Sequence, residues 1–321
     1  MFLILLVEQE QEGELSLHTK ESGVHQGRVR IIAIMLFRLR MTVDEAIVAY
    51  TRLSEDVFSK KTLLQPHKKR KVSQLENAIA TVIHSSLDVD KNQAEKIPML
   101  DDEGPKWQVA HLRFGAFINF YCSFVSTSTA KNLSSPTLFR TYLPPRLASY
   151  DCTIMEAVRA TTAEEPFFPS IDIGDGNAKE TFIHGGLRLY NPVKAVLEEA
   201  VSIFPGQSIS CVLSIGSGVQ GVTGFKHASN AELADVLKRV MNDGDRISDE
   251  VARELSDKNV FYCRLNVDHG FEDIGFEDWE RLGEVKTHTG KYLEKYDVSQ
   301  KVSQLVKVLN RRTSEVLVLI D

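Results

Sequence analysis

The stretch Phe182-Ile183-His184-Gly185-Gly186-Leu187, running into Tyr190-Asn191-Pro192-Val193, brings together an imidazole, two glycines and a helix start. It reads as a short apolar strand, a tight turn and a helix. Pro192 stands at a first helical position, where its missing N–H costs nothing. Such a turn can bring backbone close to a ligand, and a side chain just ahead of it can reach a site. A plain strand-to-helix connection has the same local pattern. Gly216-Ser217-Gly218 is a second candidate, a serine at the end of an apolar strand. It lacks the G-x-S-x-G spacing of a nucleophile elbow and therefore reads as a structural turn. None of His184, His227, His269 and His288 has the i,i+4 neighbour of a helical zinc pair. Asp101-Asp102 and Asp268-His269 read as solvated charge.

The elements that must position these residues come from a chain of 321 residues, room for one large α/β domain or two small ones. A formal net charge of -6 and the lack of a long basic stripe argue against nucleic acid as a partner. Lys68-Lys69-Arg70-Lys71 reads as a solvated loop between two helices, with contact to anionic lipid or an import signal as alternatives. Cys122, Cys152, Cys211 and Cys263 are far apart with no C-x-x-C pair, which points to a reduced intracellular protein. The apolar run Met1 to Val7 is far short of the roughly twenty residues a bilayer span needs, and acidic residues follow it. A soluble, intracellular and cytoplasmic protein is expected.

Residues 1–27 show no clear period and end in the turn-rich segment Glu21 to Gly27. Ile31 to Leu39 is apolar nearly all round and predicts a buried helix. Thr42-Val43-Asp44-Glu45 and Ser73-Gln74-Leu75-Glu76 have the capping-box pattern and predict two more helix starts. Residues 88–120 read as an irregular excursion that includes an aperiodic insert around Lys106 to Phe120. Phe124 to Thr127 and Leu138 to Tyr142 read as strands joined by a turn at Ser134-Ser135-Pro136. Thr153-Ile154-Met155-Glu156 caps a helix through Val158 to Ala163, broken at Pro166 to Pro169. Ile209 to Ile215 is a continuous apolar run, as in a strand covered on both faces of a parallel sheet. Helical periodicity from about Ala231 to Leu255, a strand Val260 to Leu265 and further helical pieces complete the chain. Alternation of this kind predicts an α/β fold with a mainly parallel sheet in a single domain.

Many of these stretches resemble the patatin-like phospholipase family, particularly its fungal members. The similarity runs in family order over roughly residues 28–310. It passes through Ile31 to Ala46, Leu138 to Tyr142, Cys152 to Thr161, Pro166-Phe167-Phe168, Phe182 to Gly186, Asn191-Pro192-Val193, Leu197 to Ala200 and Ser214 to Gly218. The resemblance implies a three-layer α/β sandwich with a mainly parallel central sheet flanked by helices. It divides the chain into an atypical N-terminal segment 1–27, a partial patatin-like domain 28–310 and a C-terminal tail 311–321. It also implies acyl-ester hydrolysis in phospholipids or neutral lipids, no cofactor and no metal. Its partners would be a lipid or acyl-ester ligand and, transiently, a membrane surface.

The family's chemistry uses a serine in G-x-S-x-G, an aspartate in a D-G-G or D-G-A turn, and a glycine-rich oxyanion loop near the N-terminus. A hydroxyl needs a base in hydrogen-bond reach, and the developing oxyanion needs preorganised donors. The family's serine position falls on Gly27, or on His25 in the frame Gly23-Val24-His25-Gln26-Gly27. Its aspartate position is His184, although Gly185 and Gly186 are retained. The oxyanion loop is not recognisable in residues 1–30. No catalytic residue of the dyad is intact. A hydrolase relative with an impaired site is therefore expected. The alternatives are a non-catalytic lipid-binding or interaction relative, or the product of a faulty gene model.

Overall fold

A computed structural model of the chain describes residues 2–3, 24–59, 67–101, 122–144, 149–164, 167–187, 191–219, 244–271, 274, 278–309 and 316–320. The apolar start Met1 to Val7 (all but Phe2 and Leu3), Gly23, the insert around Lys106 to Phe120 and the beginning of the helix expected from Ala231 lie outside these residues. The chain forms two compact units, made chiefly of Gln26–Gly185 and of Gly186–Asp321. After the two-residue strand β1 (Phe2–Leu3), helix α1 (Val24–Ala33) runs directly into a π-helical turn, Ile34–Arg38. The expected buried helix thus begins earlier and changes its winding midway. Its apolar residues Ile31, Ile34, Met35 and Phe37 are buried all round, as their run without polar interruption requires.

Thr42 caps α2 (Val43–Phe58) through the full reciprocal box: Glu45 N donates to Thr42 Oγ1 at 3.3 Å, and Thr42 N donates to Glu45 Oε2 at 2.8 Å. Helix α3 (His67–Leu87) starts before Ser73, so the Ser73 pattern caps nothing. The run Lys68 to Lys71 lies in the opening of this helix rather than in a loop. The Lys71 ammonium sits over the rings of Phe58 and Phe167, at 5.4 and 5.3 Å. After the short α4 (Lys91–Ala94), the chain reaches β2 (Phe124–Thr129) and β3 (Asn132–Arg140). The turn between these strands is Ala130-Lys131, and Ser134, Ser135 and Pro136 lie within β3. A proline is tolerated there because β3 is an edge strand that does not need every N–H. Thr153 caps α5 (Ile154–Thr161) as expected.

Strands β4 (Ile171–Ile173) and β5 (Glu180–His184) complete an antiparallel sheet of order β3-β2-β5-β4. This corrects the expectation of one mainly parallel sheet. The hairpins β2–β3 and β4–β5 have connections too short for a parallel crossover, which needs a dozen or more residues. Helix α5 packs on β2 and β5. Phe139, Tyr150 and Phe182 meet beside them, with ring centroids 5.1 to 5.3 Å apart.

The second unit is the α/β part. Helix α6 (Val193–Ile203) is followed by β6 (Ile209–Ile215), α7 (Gly244–Ser256), β7 (Phe261–Leu265), α8 (Leu282–Leu293), α9 (Tyr296–Leu309) and β8 (Val316–Ile320). Strand β6 lies between β7 and β8 and is parallel to both. Its Cys211, Val212, Leu213 and Ser214 are buried in succession, the burial a strand covered on both faces must show. The segment expected as a C-terminal tail supplies β8. A core of Val267, Phe271, Ile274, Val285, Tyr292 and Val298 fixes α8 and α9 behind β7.

Candidate functional site

His184 is the last residue of β5, and its position is set from three sides. Its Cα is paired across the ladder with Thr127 of β2. Its backbone N–H donates to the carbonyl of Ala163 at 3.0 Å. Its Nε2 lies 3.9 Å from Oε1 of Glu164, and both side chains are buried. Glu164 follows α5 by three residues and is in turn electrostatically coupled to Arg30 of α1. Burial pulls the Arg30 guanidinium down to about 10 and the Glu164 charge opposes that fall, so the cation persists at neutral pH. Arg30 Nη1 also donates to the carbonyl of Thr161 at 3.3 Å. A buried chain of Arg30, Glu164 and His184 therefore ties α1, the end of α5 and the end of β5 together.

Gly185 is a glycine for a packing reason. A Cβ there would lie 2.8 Å from the backbone C and O of Ser126 and 2.9 Å from its Oγ, closer than side chains come. The turn that resembles D-G-G is thus pressed directly against β2. Gly186 is buried and begins the second unit. Gly27 is the fourth residue of α1 and His25 the second, so both positions fall in the first turn of a helix. The side chain of His25 lies outside the described residues.

The strand opposite His184 carries three successive hydroxyl residues, Ser126, Thr127 and Ser128. Thr127 Oγ1 donates to the carbonyl of Ile183 at 2.6 Å. Ser126 and Ser128 alternate to the opposite face of β2 from Thr127, the partner of His184. Their hydroxyls are buried and have no hydrogen-bond partner in the structure. The arrangement can orient and stabilise an imidazole, as a carboxylate beside histidine does. Ser217 lies in the second unit, after β6.

Sequence reasoning missed Arg30 and Glu164. Glu164 stands in Thr161-Thr162-Ala163-Glu164-Glu165, where paired acids after a helix normally face solvent. Its burial could have been suspected only from the apolar Pro166-Phe167-Phe168 that follows. Asp101 and Asp268, expected as solvated, are ion-paired with Arg40 at 2.9 Å and Lys295 at 2.5 Å. Among the described residues, no group of His, Cys, Asp and Glu could hold a metal ion, and no helix is long and apolar enough to cross a membrane.

No family model matches the chain. The chain is 25% identical, over 331 aligned residues and 95% of its length, to calcium-independent phospholipase A2-gamma of Rattus norvegicus. The protein of the same name from Mus musculus gives the same identity and coverage. The chain spans 38% of the length of these curated relatives.

Proposed function

We propose that this chain is a patatin-like acyl-lipid protein, of the type spanning residues 28–310, that keeps the scaffold and has lost the Ser–Asp dyad. It binds an acyl chain or acyl ester and does not turn it over efficiently. The lipid part of this reading is supported by the similarity to a phospholipase A2 along nearly the whole chain. The loss of catalysis is supported by one observation above all. The position that would hold the catalytic aspartate is an imidazole buried against Glu164. The parallel strands β6, β7 and β8 with their intervening helices support the sandwich reading for the second unit. Catalysis would need no metal or organic cofactor.

The test is labelling of the folded full chain with a fluorophosphonate probe, with mass mapping, beside titration with a fluorescent fatty acid. Saturable fatty-acid binding without a serine adduct is the expected result. An adduct on Ser217 or any other serine would overturn the lost-dyad reading, and absence of acyl binding would overturn the lipid reading.

A further inference from the structure

The turn after β6 carries more glycine than Gly216-Ser217-Gly218, which by itself lacks the spacing of a nucleophile elbow. The spacing continues, because Gly216-Ser217-Gly218-Val219-Gln220-Gly221 places three glycines as G-x-G-x-x-G directly after a strand. Open parallel sheets bind ligands outside the carboxyl ends of their strands, and this spacing is how such sheets let backbone approach phosphate. The turn here leaves the carboxyl end of the central strand, between β7 and β8.

The turn is held rigidly from below. Gly216 N donates to the carbonyl of Leu265 at 2.7 Å, and Val219 N donates to that of Val267 at 2.8 Å. Gly218 N donates to Asn266 Oδ1 at 2.8 Å. A Cβ on Gly216 would overlap Asn266 Oδ1 and lie 2.8 Å from Arg264 Nη2. Gly218 has φ +104°, and a Cβ there would lie 2.5 Å from the Phe271 ring. The backbone conformation of Gly218 thus requires glycine, whereas a side chain at Gly216 would have to displace the ends of Asn266 and Arg264.

Among the donors of this turn, the Ser217 backbone N–H and hydroxyl make no hydrogen bond, unlike those of Gly216, Gly218 and Val219. Arg264, on β7, uses Nη1 on Ser214 Oγ at 2.7 Å and Nε on Asp245 Oδ1 at 3.4 Å. Its Nη2, the atom beside Gly216, makes no hydrogen bond. Asp245 also accepts from Asn266 Nδ2 at 3.3 Å and so fixes both side chains, while offsetting part of the cationic charge. Only 16% of the Arg264 side chain is exposed, so its guanidinium is held in place rather than ranging through solvent.

We propose that the turn Gly216–Gly218, with Ser217 N–H, Ser217 Oγ and Arg264 Nη2 as donors, is a binding site for a phosphate oxyanion. The geometry of the site stands on its own; only the choice of a lipid headgroup over a soluble phosphate ester as its source rests on the acyl-lipid reading. Charge-assisted bonds from a guanidinium and preformed N–H donors are the chemistry that favours a phosphate over an uncharged group.

The experiment is calorimetric titration of the full chain with inorganic phosphate, dodecyl phosphate, ADP and, as an uncharged control, dodecyl maltoside. The variants are Arg264→Gln, Arg264→Lys and Ser217→Ala, each first shown by circular dichroism to melt cooperatively. Saturable binding of inorganic phosphate is expected, weakened about tenfold or more by Arg264→Gln and less by Arg264→Lys and Ser217→Ala. Ser217→Ala removes a hydroxyl from a half-buried turn in which it makes no hydrogen bond, so it reports on the site even if the Arg264 variants do not fold. Tighter binding of dodecyl phosphate than of ADP assigns the site to a lipid headgroup, and the reverse assigns it to a soluble ester. No phosphate binding, or binding unchanged in Ser217→Ala and in any folded Arg264 variant, overturns the proposal. Dodecyl phosphate and dodecyl maltoside binding equally well in the wild type and the variants would overturn the anion site while leaving the acyl-lipid reading intact.

Discussion

Glu164 Oε1 stands 3.9 Å from His184 Nε2, with both side chains shut away from solvent. The separation is too long for a hydrogen bond and within ion-pair range. A buried carboxylate favours an imidazole beside it and disfavours a second carboxylate, because two like charges in a low dielectric each raise the cost of the other. Glu164 and His184 therefore suit each other in a way that Glu164 and an aspartate would not.

Replacing His184 with Asp tests this relationship. The variant carries the residue type of a D-G-G turn, yet it places two acids together in a buried site. A loss of stability of about 2 kcal/mol or more is expected in denaturant unfolding at neutral pH. Ester turnover, read with a chromogenic short-chain ester, is expected to stay at background. A rise in turnover would show that a nucleophile is already in place and would sink the lost-dyad reading.

Gly185→Ala tests whether the retained glycine has a packing role. The added methyl would meet the Ser126 backbone at 2.8 Å, so β2 or the turn must shift. Overpacking of this kind costs on the order of 1–3 kcal/mol, to be read as a lowered denaturant midpoint. An unchanged midpoint would mean that the turn can move away from β2.

The cysteines give a pH-dependent chemical test. Burial pushes the thiols of Cys122 and Cys211 up to about 12 and raises Cys152 and Cys263 as well. Raising a thiol's pKa removes thiolate, so at pH 8 a thiol titrating near 12 is about one part in ten thousand reactive anion. Iodoacetamide at that pH is expected to leave all four unmodified in folded protein and to label all four in denaturant. Mass spectrometry reads the difference, and native labelling of Cys122 or Cys211 would contradict the burial.

The cap of α2 makes a second pH prediction. Hydrogen bonds from the Thr42 backbone and side chain hold the Glu45 carboxyl below its ordinary 4.5. A carboxyl depressed in the folded state stabilises above its unfolded pKa, and that contribution is lost as pH falls through the folded value. Glu45→Gln is therefore expected to lower the denaturant midpoint at pH 6 to 7, with the gap to wild type closing as the pH drops below about 4.5. A gap that persists unchanged in acid would remove the charge from the explanation.

The sequence by itself determined the elements whose signals are local. The caps at Thr42 and Thr153 formed as read, because a side chain and an N–H three residues away suffice to make them. Strand β6 matches Ile209 to Ile215 end to end, since an unbroken apolar run between polar turns admits few other placements. His184 at a strand end before two glycines was legible for the same reason. The hairpin turn was misplaced because Ser134-Ser135-Pro136 carries turn residues, which only the edge position of β3 makes tolerable in a strand.

Only the tertiary structure decided which strands pair. It set β2 between β3 and β5, a choice made by contacts between residues far apart in the chain. It likewise decided what surrounds the candidate residues. Arg30 and Thr161 are 131 positions apart, and no periodicity announces their bond or the burial of Glu164 beside them. Side-chain type and spacing fix what a residue is able to do. The desolvation and the partners that select among those abilities exist only once distant segments are packed together.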